Sequence, residues 1–406
     1  SWLTQDGNTD FRVLSDVIQS AEVAYDLGGG YCTPALSWQF NKKLIGLDLI
    51  DPAEARTDPV PINMTGMSVT VEEYFDLLDR VYAEDDRYVS VIKKKIKEQS
   101  KLKTMSNFSN TFIDIIEDIN KNGSESQPRS LKVRELIYGQ YSVDSIQPFA
   151  SFKDRAFNWK YFAGEVAWYL KKDCDIDYIN KFSNFWKGIT NPGTNEINSN
   201  YGALLFGPQL KWCLDSLKAD INTRQAIAFL NQPKYQFEGN KDFVCTMYLN
   251  FFIRDNKLNM KVQMRSNDIF YGLTFDAPFF AVVHQHMLLW LKETYPTLEI
   301  GEYVHFADNI HYYERHFELS DQILENGKAD KQYSMELTKP LFYVDDFNNF
   351  TLTEIGNDYI DEIDAISTNE NSKNIEYLAV LSKYLNVTIN EKSTNNKDNA
   401  RAESFQ

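Results

Sequence analysis

The segment 278–291 reads Pro-Phe-Phe-Ala-Val-Val-His-Gln-His-Met-Leu-Leu-Trp-Leu and constrains the fold more than any other. It is apolar nearly all round, so as a helix it has no face to offer water and must be enclosed by other elements. His284, Gln285 and His286 interrupt the run, far short of the about eighteen apolar residues that a membrane span requires. The 406-residue chain is 43% apolar, ample material for a core around such a helix.

The enclosing elements are legible from their periodicity. Leu258, Met260, Val262 and Met264 alternate with Asn259, Lys261, Gln263 and Arg265, and the turn pair Asp255-Asn256 separates this run from 243–253. That pattern predicts a β-hairpin with one apolar face. Phe108, Phe112, Ile115, Ile116 and Ile119 recur at helical spacing and stop at Asn122-Gly123. A polar loop over 123–129 follows, then strand character in Leu136-Ile137-Tyr138-Gly139. Trp159, Phe162, Val166, Tyr169 and Leu170 mark a second amphipathic helix. Helix, strand, helices and then long antiparallel strands around a central helix make an α+β fold.

Three regions follow from composition. Residues 1–104 form an N-terminal extension of unassigned function, 105–330 the main domain, and 331–406 an acidic and polar C-terminal extension whose last part, 392–406, is expected to be mobile. Gly28-Gly29-Gly30 lacks the clear strand, helix and lysine of a phosphate loop and reads as a turn. Turn signals recur over 52–61, and a helical pattern over 71–81 runs into Lys93-Lys94-Lys95-Ile96-Lys97. This basic run reads as a solvated helix face rather than an RNA or partner contact.

The four cysteines, Cys32, Cys174, Cys213 and Cys245, are scattered, with no CxxC and no cysteine/histidine cluster. That spacing argues against zinc and against a disulfide scaffold, and points to a reducing compartment. Asn-x-Ser/Thr triplets such as Asn63-Met64-Thr65 then read as chance matches. No secretory leader opens the chain, and Ser1 is consistent with a processed start. With 42 basic and 58 acidic residues the net charge is −16, which disfavours a nucleic-acid surface. A small anion remains open if arginines gather locally.

Several residues could carry chemistry. Glu165 lies three residues after Phe162 and four before Tyr169, which puts a carboxylate on an apolar helix face. Such a group titrates high if desolvated, unless its head reaches water at the margin of the face. Cys245 shares a predicted strand face with Met247, Leu249, Phe251 and Ile253. It is a small core hydrophobe, or else a nucleophile whose thiol, about 8.5 when free, needs a nearby cation such as Arg265 or Arg224. His311 and Tyr313 sit two apart in an extended segment. Asp276 precedes Ala277-Pro278 as a helix N-cap would. Arg129, Arg134, Arg224 and Arg265 are the arginines near these motifs, and several meeting on one dianionic phosphate would reconcile the acidic chain with a nucleotide.

The ordered motifs Glu196-Ile197-Asn198-Ser199-Asn200-Tyr201-Gly202, Asn222-Thr223-Arg224, Val244-Cys245-Thr246, Ile253-Arg254-Asp255, Met264-Arg265-Ser266-Asn267-Asp268 and His311-Tyr312-Tyr313 resemble the thymidylate synthase superfamily. The likeness covers roughly 106–320 and is greatest to its bacteriophage deoxycytidylate hydroxymethylase branch. It implies that Cys245 is the nucleophile attacking C6 of a pyrimidine and that Glu165 organises water and proton transfer. Arg129 and Arg265 with Ser266 would hold the phosphate, Arg224 would be lent by the second subunit of a homodimer, and Asn267 falls among the substrate-binding residues. His311 and Tyr313 match the pair on the deoxyribose hydroxyl and Tyr201 an active-site wall. Trp168, Trp186 and Asp268 match positions near the folate. The implied co-substrate is methylenetetrahydrofolate, with no metal. The implied setting is the cytoplasm, that of a host if the gene is a phage's, and a nucleotide-synthesis complex is a partner the resemblance allows.

The departures matter as much. Thr246 stands where the synthases place histidine, and Asp276 where they place the asparagine that reads uracil. An amide both donates and accepts, whereas a carboxylate only accepts and suits the exocyclic amine of cytosine. Gln225 replaces a second phosphate arginine, and the long polar tail leaves the family's C-terminal lid unassigned. The resemblance therefore implies a deoxycytidylate 5-hydroxymethyltransferase, against a deoxyuridylate hydroxymethylase, a methyl-forming synthase or a catalytically silent nucleotide-binding protein.

Overall fold

The computed structural model describes residues 107–391 apart from 330 and 370, together with the backbone of three strands nearer the N-terminus. The chain divides into two units, Ser1–Met105 and Ser106–Gln406. In the first, β1 (Val23–Asp26) runs parallel to β2 (Lys43–Asp48), which pairs antiparallel with β3 (Asn63–Thr65). The glycine triplet, the 52–61 turns, the 71–81 pattern, the lysine run, Cys32 and residues 392–406 lie outside the described residues.

The second unit opens with α1 (Phe108–Asn122), β4 (Ser124–Ser126), β5 (Val133–Val143) and α2 (Trp159–Lys171). Then come α3 (Tyr201–Leu205), α4 (Pro208–Ala219), β6 (Ile227–Phe229), β7 (Thr246–Arg254), β8 (Lys257–Met264) and β9 (Asn267–Asp268). The central helix α5 (Thr274–Lys292), the long strand β10 (Glu299–Tyr313) and α6 (Phe317–Asn326) follow. The sheet order is β4-β5-β10-β8-β7-β6, with β9 also on β10. β10 is parallel to β8 and β9 and antiparallel to β5, so the sheet is mixed and the fold α+β. The hairpin forms as its alternation predicts. Asp255 and Asn256 take φ of 51° and 57°, the left-handed pair that a two-residue turn matched to strand twist requires. The loop expected over 123–129 instead contains β4, a short strand added to β5.

Helix α5 is buried along almost its whole length. The three polar residues that interrupt it are its fastenings. His284 Nε2 meets the Leu258 carbonyl at 2.8 Å, and since a carbonyl only accepts, His284 Nδ1 must accept from Ser145 Oγ at 2.9 Å. Gln285 donates to the carbonyls of Ser145 and Met335 and accepts from Leu337 N at 2.6 Å. His286 Nε2 accepts from Leu341 N at 3.0 Å. All but the Ser145 hydroxyl contact reach backbone groups of neighbouring segments, so the helix is pinned to them by polar bonds as well as by packing.

These bonds also tie down the chain after residue 330. There β11 (Lys331–Met335), β12 (Phe342–Val344), β13 (Phe350–Leu352), α7 (Glu354–Ser367), α8 (Asn374–Tyr384) and β14 (Val387–Glu391) form two small antiparallel pairs and two helices. Leu337, Leu341, Tyr359, Ile363, Tyr377 and Leu381 join the same core as α5, and Tyr359 Oη donates to the Ala163 carbonyl of α2 at 2.8 Å. Among the described residues no helix is long and apolar enough to cross a membrane.

Candidate active site

One end of the large sheet brings the chemistry-bearing residues together. The start of β7, the end of β8, β9, the end of β10 and the start of β5 all lie there: Thr246 pairs with Met264, Asp268 with His311, and Tyr313 with Val133. Cys245 is not inside the strand, as its spacing predicts, but one residue before β7. The register shifts between Thr246 and Tyr248, an irregularity that re-aims a side chain at the strand's end while Leu249, Phe251 and Ile253 keep the core face. Arg265 follows β8. Its N–H donates to the Cys245 carbonyl at 2.9 Å and its guanidinium to the carbonyls of Phe243 and Val244, with Nη2 3.4 Å from Cys245 Sγ. Burial pushes the thiol up; Arg265 opposes this, Asp276 and Asp242 add to it, and Arg129 pulls it down.

The Asn-Ser-Asn-Tyr-Gly motif is a clamp for this end. The buried Asp242, three residues before the thiol, accepts from Asn198 N and Ser199 N at 2.6 and 2.7 Å and from Ser199 Oγ. Asn200 caps α3 by accepting from Ala203 N and donates to the Trp168 and Asp173 carbonyls. At Gly202 any Cβ would sit 1.8 Å from the Tyr169 carbonyl, so only glycine lets α3 touch α2. Tyr201 is thereby stacked between Tyr169 and Phe280, at 5.5 Å from each. The charges of Asp276 and Cys245 bear on its hydroxyl.

Helix α2 supplies Glu165, which is 6% exposed and so belongs to the interior rather than to the margin of the face. Burial pushes its carboxyl up to about 8, Asp276 adds to this, and hydrogen bonds from Tyr161 and Tyr169 oppose it. One turn along, Trp168 packs on Trp186 with ring centroids 5.1 Å apart.

Asp276 is not the N-cap that its neighbours Ala277-Pro278 suggest. The helical turn begins earlier, and Asp268 caps it by accepting from Phe270 N and Tyr271 N at 2.8 and 3.2 Å. Asp276 lies about two turns inside, freed from capping, and accepts from Asn267 Nδ2 at 3.0 Å. Burial pushes it up to about 6, with the Asn267 bond opposing. Asp268 is also pushed up to about 6 by burial, and its Oδ2 is buried without a hydrogen-bond partner.

On β10, His311 and Tyr313 share a face with rings edge-on at 5.4 Å, and His311 Nδ1 is buried without a partner. Burial holds His311 near 4, hence neutral. Ser266 is half-buried beside Arg265. Arg129 is exposed in a turn where it and Ser130 take φ of 52° and 64°; its charge is felt at Cys245, His311 and Tyr313. Arg134 stays on the surface with Glu125. Arg224 is exposed, with no electrostatic influence on the thiol among those that shift it.

The thymidylate synthase family model matches residues 110–366. The chain belongs to the thymidylate synthase family. Deoxycytidylate 5-hydroxymethyltransferase of Enterobacteria phage T6 is 30% identical over 210 residues, 49% of this chain and 83% of that protein. Deoxyuridylate hydroxymethyltransferase of Bacillus phage SP01 is 27% identical over 221 residues, 50% and 56% of the two chains. Thymidylate synthase of Mycoplasma genitalium is 23% identical over 266 residues, 57% and 91%. As a thymidylate synthase family member related to these hydroxymethyltransferases, the chain is a one-carbon transferase.

Sequence reasoning missed two residues of this candidate site, Asp242 and Tyr161. Tyr161 was findable, one helical turn before Glu165. Asp242 acts across elements, on the backbone of Asn198 and Ser199, and no local spacing announces it.

Proposed function

We propose that this protein transfers a one-carbon unit to C5 of deoxycytidylate and hydrates it, giving 5-hydroxymethyldeoxycytidylate and tetrahydrofolate. The observation that carries the reading is Asp276: a carboxyl group that caps nothing, electrostatically coupled to the Cys245 thiol and to Glu165. An ionised carboxylate accepts from the cytosine amine and repels the O4 of uracil; protonated, it donates to cytosine N3.

The thiolate of Cys245, favoured by Arg265, adds to C6 and makes C5 nucleophilic, and C5 gives up its proton in exchange for the one-carbon unit. Arg265, Ser266 and Arg129 hold the phosphate, and neutral His311 with Tyr313 the sugar hydroxyl. Glu165, poised near neutrality, takes a proton from the water that adds at the new carbon. Expulsion of Cys245 restores the ring. Bound folate fits the residues present: the unpartnered Asp268 Oδ2 can receive pterin N–H donors, and Trp186, backed by the fully buried Trp168, is the aromatic ring assigned to it. Methylenetetrahydrofolate supplies the one-carbon unit when bound. Arg224, exposed, is assigned to the phosphate site of a second copy, so the active form is a homodimer. The setting proposed is the cytoplasm.

The test supplies methylenetetrahydrofolate with deoxycytidylate or deoxyuridylate tritiated at C5, and follows tritium release and both products by mass spectrometry. Hydroxymethyldeoxycytidylate with tetrahydrofolate is expected. Dihydrofolate would overturn hydration, and release from deoxyuridylate alone would overturn the role of Asp276. That second outcome favours the activity by which the Bacillus phage relative is named.

A further inference from the structure

We propose that Asn267, His305 and Tyr303 form a buried positioning chain that fixes one oxygen of Asp276 and thereby sets which pyrimidine the site accepts; this rests on Asp276 reading the base. Asn267 Nδ2 lies 3.0 Å from Asp276 Oδ2 and 3.2 Å from His305 Nε2, and His305 Nδ1 lies 2.9 Å from Tyr303 Oη. All three side chains are buried.

With Asp276 ionised, the hydrogens of this chain have one consistent arrangement. Turning the Asn267 amide over would set its oxygen against the carboxylate oxygen, two acceptors face to face. The NH2 group therefore faces both Asp276 and His305, and the Asn267 oxygen is left buried without a partner. Burial holds His305 near 3, so its ring is neutral, with one donor nitrogen and one acceptor. Nε2 must accept from Asn267, and Nδ1–H then donates to Tyr303 Oη. A Cβ at position 272 would come 2.7 Å from Asn267 Oδ1 and 3.2 Å from Asp276 Oδ2, so the bare Cα of Gly272 makes room for the pair.

The consequence is asymmetry at Asp276. Oδ2 is held from behind, leaving Oδ1 as the oxygen for the base, in one orientation. A carboxyl group freed from this hold turns about its last bond and meets either base with less discrimination. The three residues are positioning residues, acting through Asp276.

Wild type, Asn267→Leu, His305→Phe and the double variant are compared for kcat/KM on deoxycytidylate and deoxyuridylate. Asn267→Leu is expected to lower the preference for deoxycytidylate by about tenfold, a decade being about 1.4 kcal/mol, chiefly through KM. His305→Phe shifts the ratio the same way by less, and the double variant is no worse than Asn267→Leu because both cut one chain. A wild type that prefers deoxycytidylate, with variants that keep its ratio, overturns the proposal. A wild type with no preference sinks base reading by Asp276 instead, and the histidine 15N spectrum then decides the chain alone. His305, one of five histidines, is assigned by its loss in His305→Phe. At pH 8, where Asp276 is ionised, it is expected bare at Nε2 and protonated at Nδ1, and the opposite tautomer overturns the chain. Should Asn267→Leu fail to fold, His305→Phe and the spectrum carry the test.

Discussion

Tyr161 Oη donates to Glu165 Oε1 at 2.7 Å from one turn earlier on α2. The bond favours the ionised carboxylate and works against the burial that raises it to about 8. Tyr161→Phe therefore moves Glu165 further up. If the ionised form takes the proton from water, the rising limb of the kcat–pH profile shifts to higher pH. At a fixed pH below that limb, a carboxyl that binds its proton about ten times more tightly lowers the rate about tenfold. An unmoved limb would remove Glu165 from the proton transfer.

The same burial predicts a trade between stability and function. Glu165 binds its proton more tightly folded than unfolded, so its contribution to stability is complete below about 4.3, the unfolded value, and is lost as pH rises to about 8. Glu165→Gln carries no charge at any pH and escapes that loss. Urea unfolding at pH 5 and pH 8.5 is expected to show the variant gaining on wild type at the higher pH, by up to about 4 kcal/mol, while product formation collapses. A gap that does not widen with pH would mean that Glu165 reaches water.

Asp276→Asn tests the base reader directly. The amide donates to O4 and accepts from N3–H, the pattern of uracil, so the preference is expected to swing toward deoxyuridylate by about 100-fold in the ratio of kcat/KM values. Retained preference for deoxycytidylate would place the discrimination elsewhere in the site.

How much of this site was legible depended on the range of the interaction. The hairpin, α1, α2 and α5 repeat their apolar positions within one element, so Leu258 to Met264 or Phe108 to Ile119 announce themselves. After residue 330 the acidic composition masks the same signal. Tyr359, Ile360 and Ile363 hold a helical apolar face inside an otherwise polar run, and that face packs into the main core. The glycine at 202 looks like any turn glycine in sequence; its reason is a carbonyl on another helix. Asp276 was misjudged locally because Asp before Ala-Pro fits an N-cap, while the cap was eight residues upstream at Asp268. The Asn267–His305 contact joins β9 to the middle of β10, 38 residues on, and only the fold brings the two together.

Arg224 provides the test of assembly. It is exposed, in a chain where Arg265 and Arg129 are the cations acting on the thiol, so a partner's phosphate site is the place proposed for it. Cys245→Ser alone removes the proposed nucleophile and is expected to lower the rate at least about 1,000-fold. Arg224→Ala alone removes one charged contact to phosphate and raises KM by about tenfold or more. Mixed and allowed to exchange subunits, the two form a heterodimer in which one site has lost both residues and the other has neither defect: its own Cys245, and an Arg224 lent by the serine variant. Activity at low substrate should therefore rise above the sum of the separate variants, toward half of wild type per heterodimer. A mixture that stays at that sum, although sedimentation shows exchange, would mean that each chain completes its own phosphate site.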